Sequence, residues 1–296
     1  MYQRHRRFGS KNRTSIFLEV AGLLVLSVIA FMGGCTVNDR RDVFDSDPAW
    51  SPGGNRIAFS SSPGEGIWPG VYVMNADGSR RVKLAENGGD PSWSPDGTRI
   101  AFTSTRGIYV MNADGSAVTG LTDDLEYAFS PSWSPDGTRI AFWSGEPPAI
   151  YVINQDGSNR MKLSSPSARD LDPDWSPDGS RIAITSFREN NVDIYLVNAE
   201  GSGASCLTSD PSDQNHAAWS PDGRRIAFLN EVGKLAYDLY LMNTDGSGVV
   251  RLTEHGLAGA SKPSWSPDSS RIAFQCESGI CVINADSTGL TRLTPD

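Results

Sequence analysis

Six positions carry the residues best placed to do chemistry in this 296-residue chain: Asp47, Asp90, Ser130, Asp172, His216 and Lys262. Each stands three residues ahead of the Trp of a Trp-Ser-Pro triplet, yet the six differ in kind. Three carboxylates, a hydroxyl, an imidazole and an amine gathered round one axis would suit a cation or a basic peptide. The bland alternative is a solvated rim with no ligand. Calcium would demand about six to eight oxygens at close range, which spacing alone does not supply.

Catalysis is the lesser reading. A metal lyase would need several histidines, and beyond the first 35 residues the sequence offers His216 and His255. A serine hydrolase would need a Gly-x-Ser-x-Gly elbow, and none occurs. No Gly-rich phosphate loop leads from a strand into a helix. The alternative of a metal-binding, lyase-like or hydrolase-like propeller would rest on Asp47, Asp90, Asp172 and His216.

The elements that position these residues are repeats. Trp-Ser-Pro begins at Trp50, Trp93, Trp133, Trp175, Trp219 and Trp265, at intervals of 43, 40, 42, 44 and 46 residues. Each is followed by Arg-Ile-Ala, at Arg56, Arg99, Arg139, Arg181, Arg225 and Arg271. Then come an apolar run ending in Asn (Val71-Tyr72-Val73-Met74-Asn75), a turn such as Ala113-Asp114-Gly115-Ser116, and a stretch such as Arg251-Leu252-Thr253. With 30 Gly and 18 Pro the chain is rich in turn residues, which fits short strands.

Each unit is therefore four strands, A to D. Ser-Pro-Asp-Gly supplies the A–B turn, because Pro presets φ and Gly accepts φ > 0. Asp-Gly marks the C–D hairpin. Strand C is apolar at nearly every position, as a strand covered on both faces should be. Four-stranded units of about 43 residues are propeller blades. The predicted fold is all-β: a six-bladed β-propeller with four antiparallel strands per blade. Every blade is contiguous in the chain, with approximate spans 47–86, 87–125, 126–168, 169–210, 211–256 and 257–296.

Recurring residues are expected to serve the ring. The six Trp, six Arg and five turn Asp read as packing and turn devices, with Arg paired to the turn Asp or to turn carbonyls. Function is expected where the repeats differ. The A–B and C–D turns belong to one face and are nearly uniform. The B–C segments 60–69, 143–149, 185–192 and 229–238 and the D–A segments such as 123–131 belong to the other and vary. Trp68, Glu126, Tyr127, Phe129, Trp143 and Tyr237 are the candidate binding residues there, with Asp47, Asp90, Asp172, His216 and Lys262 at the channel mouth.

Pro-Ser-Trp-Ser-Pro-Asp-Gly-Thr-Arg-Ile-Ala-Phe (91–102), with Ile-Tyr-Val-Met-Asn-Ala-Asp-Gly-Ser (108–116), resembles the repeat of TolB-type propellers. The resemblance spans about residues 47–296. Gly53 and Ser269 depart from it, standing where Asp and Gly are usual. It implies the propeller fold, but it is shared by a Tol–Pal component, by non-catalytic peptidase propellers and by other exported proteins. A Tol component is expected to carry a further N-terminal α/β domain, where here residues 36–46 intervene.

The first residues form an address. Arg4, Arg6, Arg7, Lys11 and Arg13 precede an apolar run, Val20 to Met32, that ends at Gly33-Gly34-Cys35. That is the order of a secretory signal. Met32-Gly33-Gly34-Cys35 resembles a bacterial lipobox, which implies cleavage after residue 34 and a lipid on Cys35. The alternative is a retained membrane anchor, since extending the run back through Ser15 gives about 20 residues. The expected layout is a signal at 1–34, a lipid-anchored linker at 35–46 and the propeller at 47–296. The protein is then exported and held on the periplasmic or cell-surface side. Thr36 is not the Asp that retains lipoproteins at an inner membrane.

The expected partners are the membrane, through Cys35, and an envelope protein or peptide, with the propeller itself monomeric. Nucleic acid is excluded by charge: net charge is −9, the first 35 residues carry +4, and the remainder carries −13. No cofactor is expected, although the channel mouth allows a bound cation. Cys276 and Cys281 replace a Ser and a Tyr of other repeats across a short B–C connection. That placement suits a cross-strand disulfide, permitted in an exported protein, or else two small buried thiols. Cys206 reads as a free thiol in packing.

Overall fold

The computed structural model describes residues 43–296 except 65–66, 106, 126, 165–167, 189, 235, 255, 257, 260 and 295–296. The leader, Cys35, Glu126 and His255 lie outside the described residues. Twenty-four strands form six sheets of four, each paired in the order A-B-C-D. The A strands are Phe44–Trp50, Gly88–Trp93, Ala128–Trp133, Arg169–Trp175, Gln214–Trp219 and Ser264–Trp265. The B strands are Arg56–Ser62, Arg99–Ser104, Arg139–Ser144, Arg181–Arg188, Arg225–Gly233 and Arg271–Cys276. The C strands are Gly70–Asn75, Gly107–Asn112, Ala149–Asn154, Asn191–Asn198, Ala236–Asn243 and Gly279–Asn284. The short D strands are Val82–Ala85, Thr119–Gly120, Met161–Lys162, Ala204–Cys206, Val250–Arg251 and Thr291–Arg292.

Two boundaries differ from the sequence reading. The first A strand starts at Phe44, so residues 44–46 belong to blade 1 rather than to the linker. Segments 185–192 and 229–238 are largely strand, because the B and C strands of blades 4 and 5 continue pairing to Arg188↔Asn191 and Gly233↔Ala236. These two blades raise hairpins where loops were expected.

The repeated residues build the spaces between blades. Each of the six cores joins neighbours: Ala58, Val71 and Val73 of blade 1 meet Trp93, Ile100, Phe102 and Met111 of blade 2. The last core closes the ring without exchanging a strand, packing Ala273, Ile280 and Val282 against Trp50, Ile57, Phe59 and Met74. The Ile of every Arg-Ile-Ala is 0% exposed, so each contributes about 1.5–3 kcal/mol through burial. The preceding Arg does not pair with the turn Asp, although in blade 5 it also reaches a turn carbonyl, Arg225 donating to that of Ser269 at 3.2 Å. Its guanidinium lies over the Trp of the next blade, with Arg56 4.6 Å from Trp93, Arg139 4.8 Å from Trp175, and Arg271 4.8 Å from Trp50 across the closure. A stacked, weakly hydrated guanidinium suits this half-buried seam better than a solvated turn carboxylate.

That carboxylate has another task. Asp96 Oδ1 accepts from Ser94 Oγ at 2.6 Å, from Thr98 N at 3.0 Å and from Thr98 Oγ1 at 2.8 Å. Led by the Ser94 bond, these hold its carboxyl down at about 2. In blade 1, where Gly53 replaces Asp, Ser51 Oγ turns to Asn55 Oδ1. Ser269 takes the left-handed conformation that Gly adopts elsewhere, at φ 58°. The hydroxyl ending strand D also has a fixed partner. Thr122 accepts the Ile108 N–H at 2.8 Å, and Thr294 accepts that of Ile280 at 2.9 Å.

Cys276 and Cys281 form a disulfide with Cα atoms 5.7 Å apart. Cys206 is a free thiol but is exposed on its D strand, not packed inside, because outer-edge positions face water.

The close approach of blades dictates one glycine at the closure. Gly78 has φ 85°, and a Cβ there would lie 2.6 Å from the Leu293 carbonyl oxygen of blade 6. Gly223 has φ 71° with open space around it. Both Gly→Ala variants incur left-handed strain of about 1–2 kcal/mol, and Gly78→Ala adds overpacking of about 1–3 kcal/mol. Thermal unfolding should therefore show Gly78→Ala losing clearly more stability than Gly223→Ala. Equal losses would contradict closure at this contact.

Candidate functional site

Every A strand is the inner edge of its sheet, where a Pro without an N–H is tolerated, especially at a bulge. In blades 1 to 5 the A–B register slips at the dipeptide that contains the candidate residue: Asp47-Pro48, Asp90-Pro91, Ser130-Pro131, Asp172-Pro173 and His216-Ala217. All five leading residues are left-handed, with φ of 50°, 48°, 51°, 50° and 54°. A bulge re-aims a side chain, and such φ values in non-glycine residues cost energy, so they cluster where function holds them.

The re-aimed side chains line a central cavity of about 870 Å³. A belt of hydrogen bonds joins them across blade boundaries. Thr103 Oγ1 accepts the Ser130 N–H at 3.2 Å and donates to Asp90 Oδ2 at 2.9 Å. Ser60 accepts the Asp90 N–H, and Thr185 accepts that of His216, both at 3.0 Å. Ser130 Oγ donates to Asp172 Oδ1 at 3.1 Å. His216 Nδ1 lies 3.3 Å from Asp172 Oδ2, in ion-pair range, although it makes no hydrogen bond. Among the described residues, no three His, Cys, Asp or Glu side chains are disposed to hold a metal ion.

Lys262 departs from the pattern. Strand A of blade 6 is reduced to Ser264–Trp265, and Ala258 bridges Tyr237 and Cys276 in place of its start. Lys262 is not left-handed and reaches from blade 6 to blade 4. Its Nζ donates to Asp174 Oδ1 at 2.7 Å and to the Pro173 carbonyl at 2.8 Å.

Burial acts on the acids. Asp47 and Asp90 retain some exposure by area because they line the channel, but their carboxyls sit deep in the ring. Desolvation raises the Asp47 carboxyl above its usual range. Desolvation, then repulsion from Asp47, raises that of Asp90 to about 7.

The aromatic candidates divide. Tyr127, Phe129 and Trp143 form a stack, with centroids 6.5 Å and 4.7 Å apart, that descends from the exposed Tyr127 to the buried Trp143. Phe129, Trp143 and the half-exposed Trp68 line the cavity. Trp143 is thus channel wall rather than loop surface. Tyr237 is packed against the core between blades 5 and 6 rather than presented to a partner, because its strand belongs to a raised hairpin. Asp174 and the hydroxyls Ser60, Thr103 and Thr185 were missed in the sequence. The signal for the three hydroxyls was a Ser or Thr four places after the repeat Arg, just past the apolar start of strand B; Asp174, one residue ahead of its Trp on strand A, had no such signal.

The Asp90 shift sets a pH dependence. A carboxyl raised from 3.8 to about 7 favours the fold fully below about pH 4, and that contribution is lost as pH rises through about 7. Its size is at most about 4 kcal/mol, moderated by channel water. Asp90→Asn should therefore raise the Tm at pH 8 by several degrees and change it little at pH 4. A uniform shift at both pH values would contradict a buried, proton-holding Asp90.

The family model of the TolB β-propeller domain matches residues 36–146 and 107–295. Among solved structures, the chain is similar to the putative TolB of Agrobacterium tumefaciens, at 25% identity and TM-score 0.68, covering 76% of this chain and 87% of that one. TolB of Acinetobacter baumannii is 19% identical with TM-score 0.68; the match covers 94% of this chain and 66% of that one, just under two thirds of its length. An oligogalacturonate lyase solved in complex with manganese shares the fold at 13% identity and TM-score 0.59, covering 85% and 78%. No curated protein matches in sequence. The two stretches matched by the family model together run through all six blades, and the chain belongs to the TolB β-propeller domain family.

Proposed function

We propose that this protein is a non-catalytic binding propeller, exported and held at a membrane through a lipid on Cys35, that engages a protein or peptide partner at its B–C and D–A face. The carrying observation is the asymmetry of the ring. In a sheet paired A-B-C-D, the A–B and C–D turns share one end, and the B–C and D–A connections share the other. The first end repeats one hydrogen-bonded turn. The second gathers the five bulged residues, the aromatic stack, Trp68 and the hairpins of blades 4 and 5. A rigid scaffold with one divergent end is the usual platform for recognition.

The polar cluster supports binding over catalysis. Ser130, Asp172 and His216 stand together, but the Ser130 hydroxyl donates to the Asp172 carboxylate and not to His216, so the Ser-to-His-to-Asp relay of a hydrolase triad is not formed. The leader and the resemblance to TolB proteins support export.

In living cells, photo-cross-linking from the B–C face tests the proposal. Trp68→Ala with Tyr127→Ala should reduce partner capture about tenfold, the effect of losing aromatic anchors. Arg80→Glu on the opposite face should leave capture unchanged. Equal capture by the two variants would overturn the assignment of this face.

A further inference from the structure

We propose that the channel mouth takes a positively charged group on an apolar stem, an ammonium or guanidinium of the kind a lysine or arginine side chain of an extended partner segment presents. This names the ligand class for the binding face proposed above and rests on that reading. The motivating observation is that the channel already holds one such group and is built for a second. Lys262 Nζ crosses from blade 6 to blade 4 and is held by one carboxylate oxygen, on Asp174, and one backbone carbonyl, of Pro173.

That ammonium answers a single carboxylate. Asp172 has His216 beside it. Asp47 and Asp90 face hydroxyl and amide donors: Ser46 Oγ at 2.8 Å from Asp47 Oδ2, with Ser60 beyond it, and Thr103 Oγ1 with the Ser130 N–H at Asp90. Among the described residues no Lys or Arg forms an ion pair with either. Two buried carboxylates, with Asp47 near enough to raise the proton affinity of Asp90, are costly unless paired. His216, 7% exposed, lines the same cavity, and its Nδ1, 3.3 Å from Asp172 Oδ2, makes no hydrogen bond.

The walls select the stem. Phe44, Trp68, Phe129 and Trp143 line the same cavity as the acids. An aliphatic or aromatic stem would cover them, and their ring faces attract a cation passing over them. The cavity, about 870 Å³, is large enough for a side chain and the segment that carries it. A bare divalent ion fits less well, since no three acidic or imidazole groups converge for it among the described residues.

The groups facing the site are Asp47, Asp90, Asp172, Asp174, His216 and Lys262. Because Asp90 holds its proton up to about pH 7, a cation should enter more readily above that pH than below it.

The test uses the full chain in detergent, with phenethylamine as the probe and 2-phenylethanol as its uncharged counterpart, both followed by calorimetry and ligand-observed NMR. At pH 8 phenethylamine should bind with a Kd of about 1 mM, a value suited to so small a ligand. It should bind at least about tenfold more tightly than the alcohol and lose that preference at pH 5.5. Asp47→Asn and Asp90→Asn should each abolish the preference while leaving thermal unfolding cooperative. Lys262→Met, which frees Asp174, should strengthen amine binding. Equal binding of amine and alcohol, or weaker amine binding in Lys262→Met, would overturn the proposal. So would calcium or manganese binding with no amine preference. Loss of partner capture in the Trp68 and Tyr127 variant alongside equal amine and alcohol binding would sink this inference and leave the binding face standing.

Discussion

No blade of this protein can bury its own sheet faces. Every apolar strand C and every Ile of strand B finds cover only on the neighbouring blade, and six blades satisfy one another only when the sixth meets the first. The repeats therefore encode an interface six times over. Isoleucine and alanine fill it, tryptophan forms its inner wall, and arginine lies over the tryptophan of the blade ahead. Each stack contributes about 0.5–2 kcal/mol, and the apolar burial beneath it contributes more. Closure depends on the same contacts, since among the described residues each sheet takes its four strands from consecutive chain.

The site follows from that geometry. Placing six inner edges round one axis leaves six positions where an edge strand can bulge, and in five of them the bulge turns a side chain into the channel. The ring fixes where these residues stand; their identities are free to differ. A residue that recurs from blade to blade is committed to packing or to a turn, as Asp96 is to Ser94 and Thr98. A residue that one blade alone carries, such as Lys262, can act on the channel as a whole. Acids dominate there, and desolvation raises the proton affinity of Asp47 and Asp90.

Much of this was legible in the sequence. The Trp-Ser-Pro and Arg-Ile-Ala spacings give six blades because their periodicity has one structural meaning. The rim positions follow from their fixed distance to each Trp. The misreadings concern residues with two physically sensible partners. Arg139 could pair with a turn carboxylate or stack on an indole, and only the approach of the next blade decides for the indole. Tyr237 looks like a loop residue until strand pairing is seen to continue past it. The hydroxyl belt was missed because Ser60, Thr103 and Thr185 act on backbone N–H groups of other blades, contacts with no local pattern. Lys262 lines the cavity with the other five, but its reach across to Asp174 has no counterpart in the sequence pattern and goes with the shortened strand A of blade 6.

The equivalence of the six interfaces can be measured by moving the chain ends. A circular permutant that joins the original ends by a short linker and opens within the connection 123–127 keeps every blade and every interface. The account predicts a single cooperative thermal transition within a few degrees of the parent. A permutant that unfolds in two steps, or fails to fold, would show that the contact between the last blade and the first is not equivalent to the others. The shared channel mouth would then lose its physical basis.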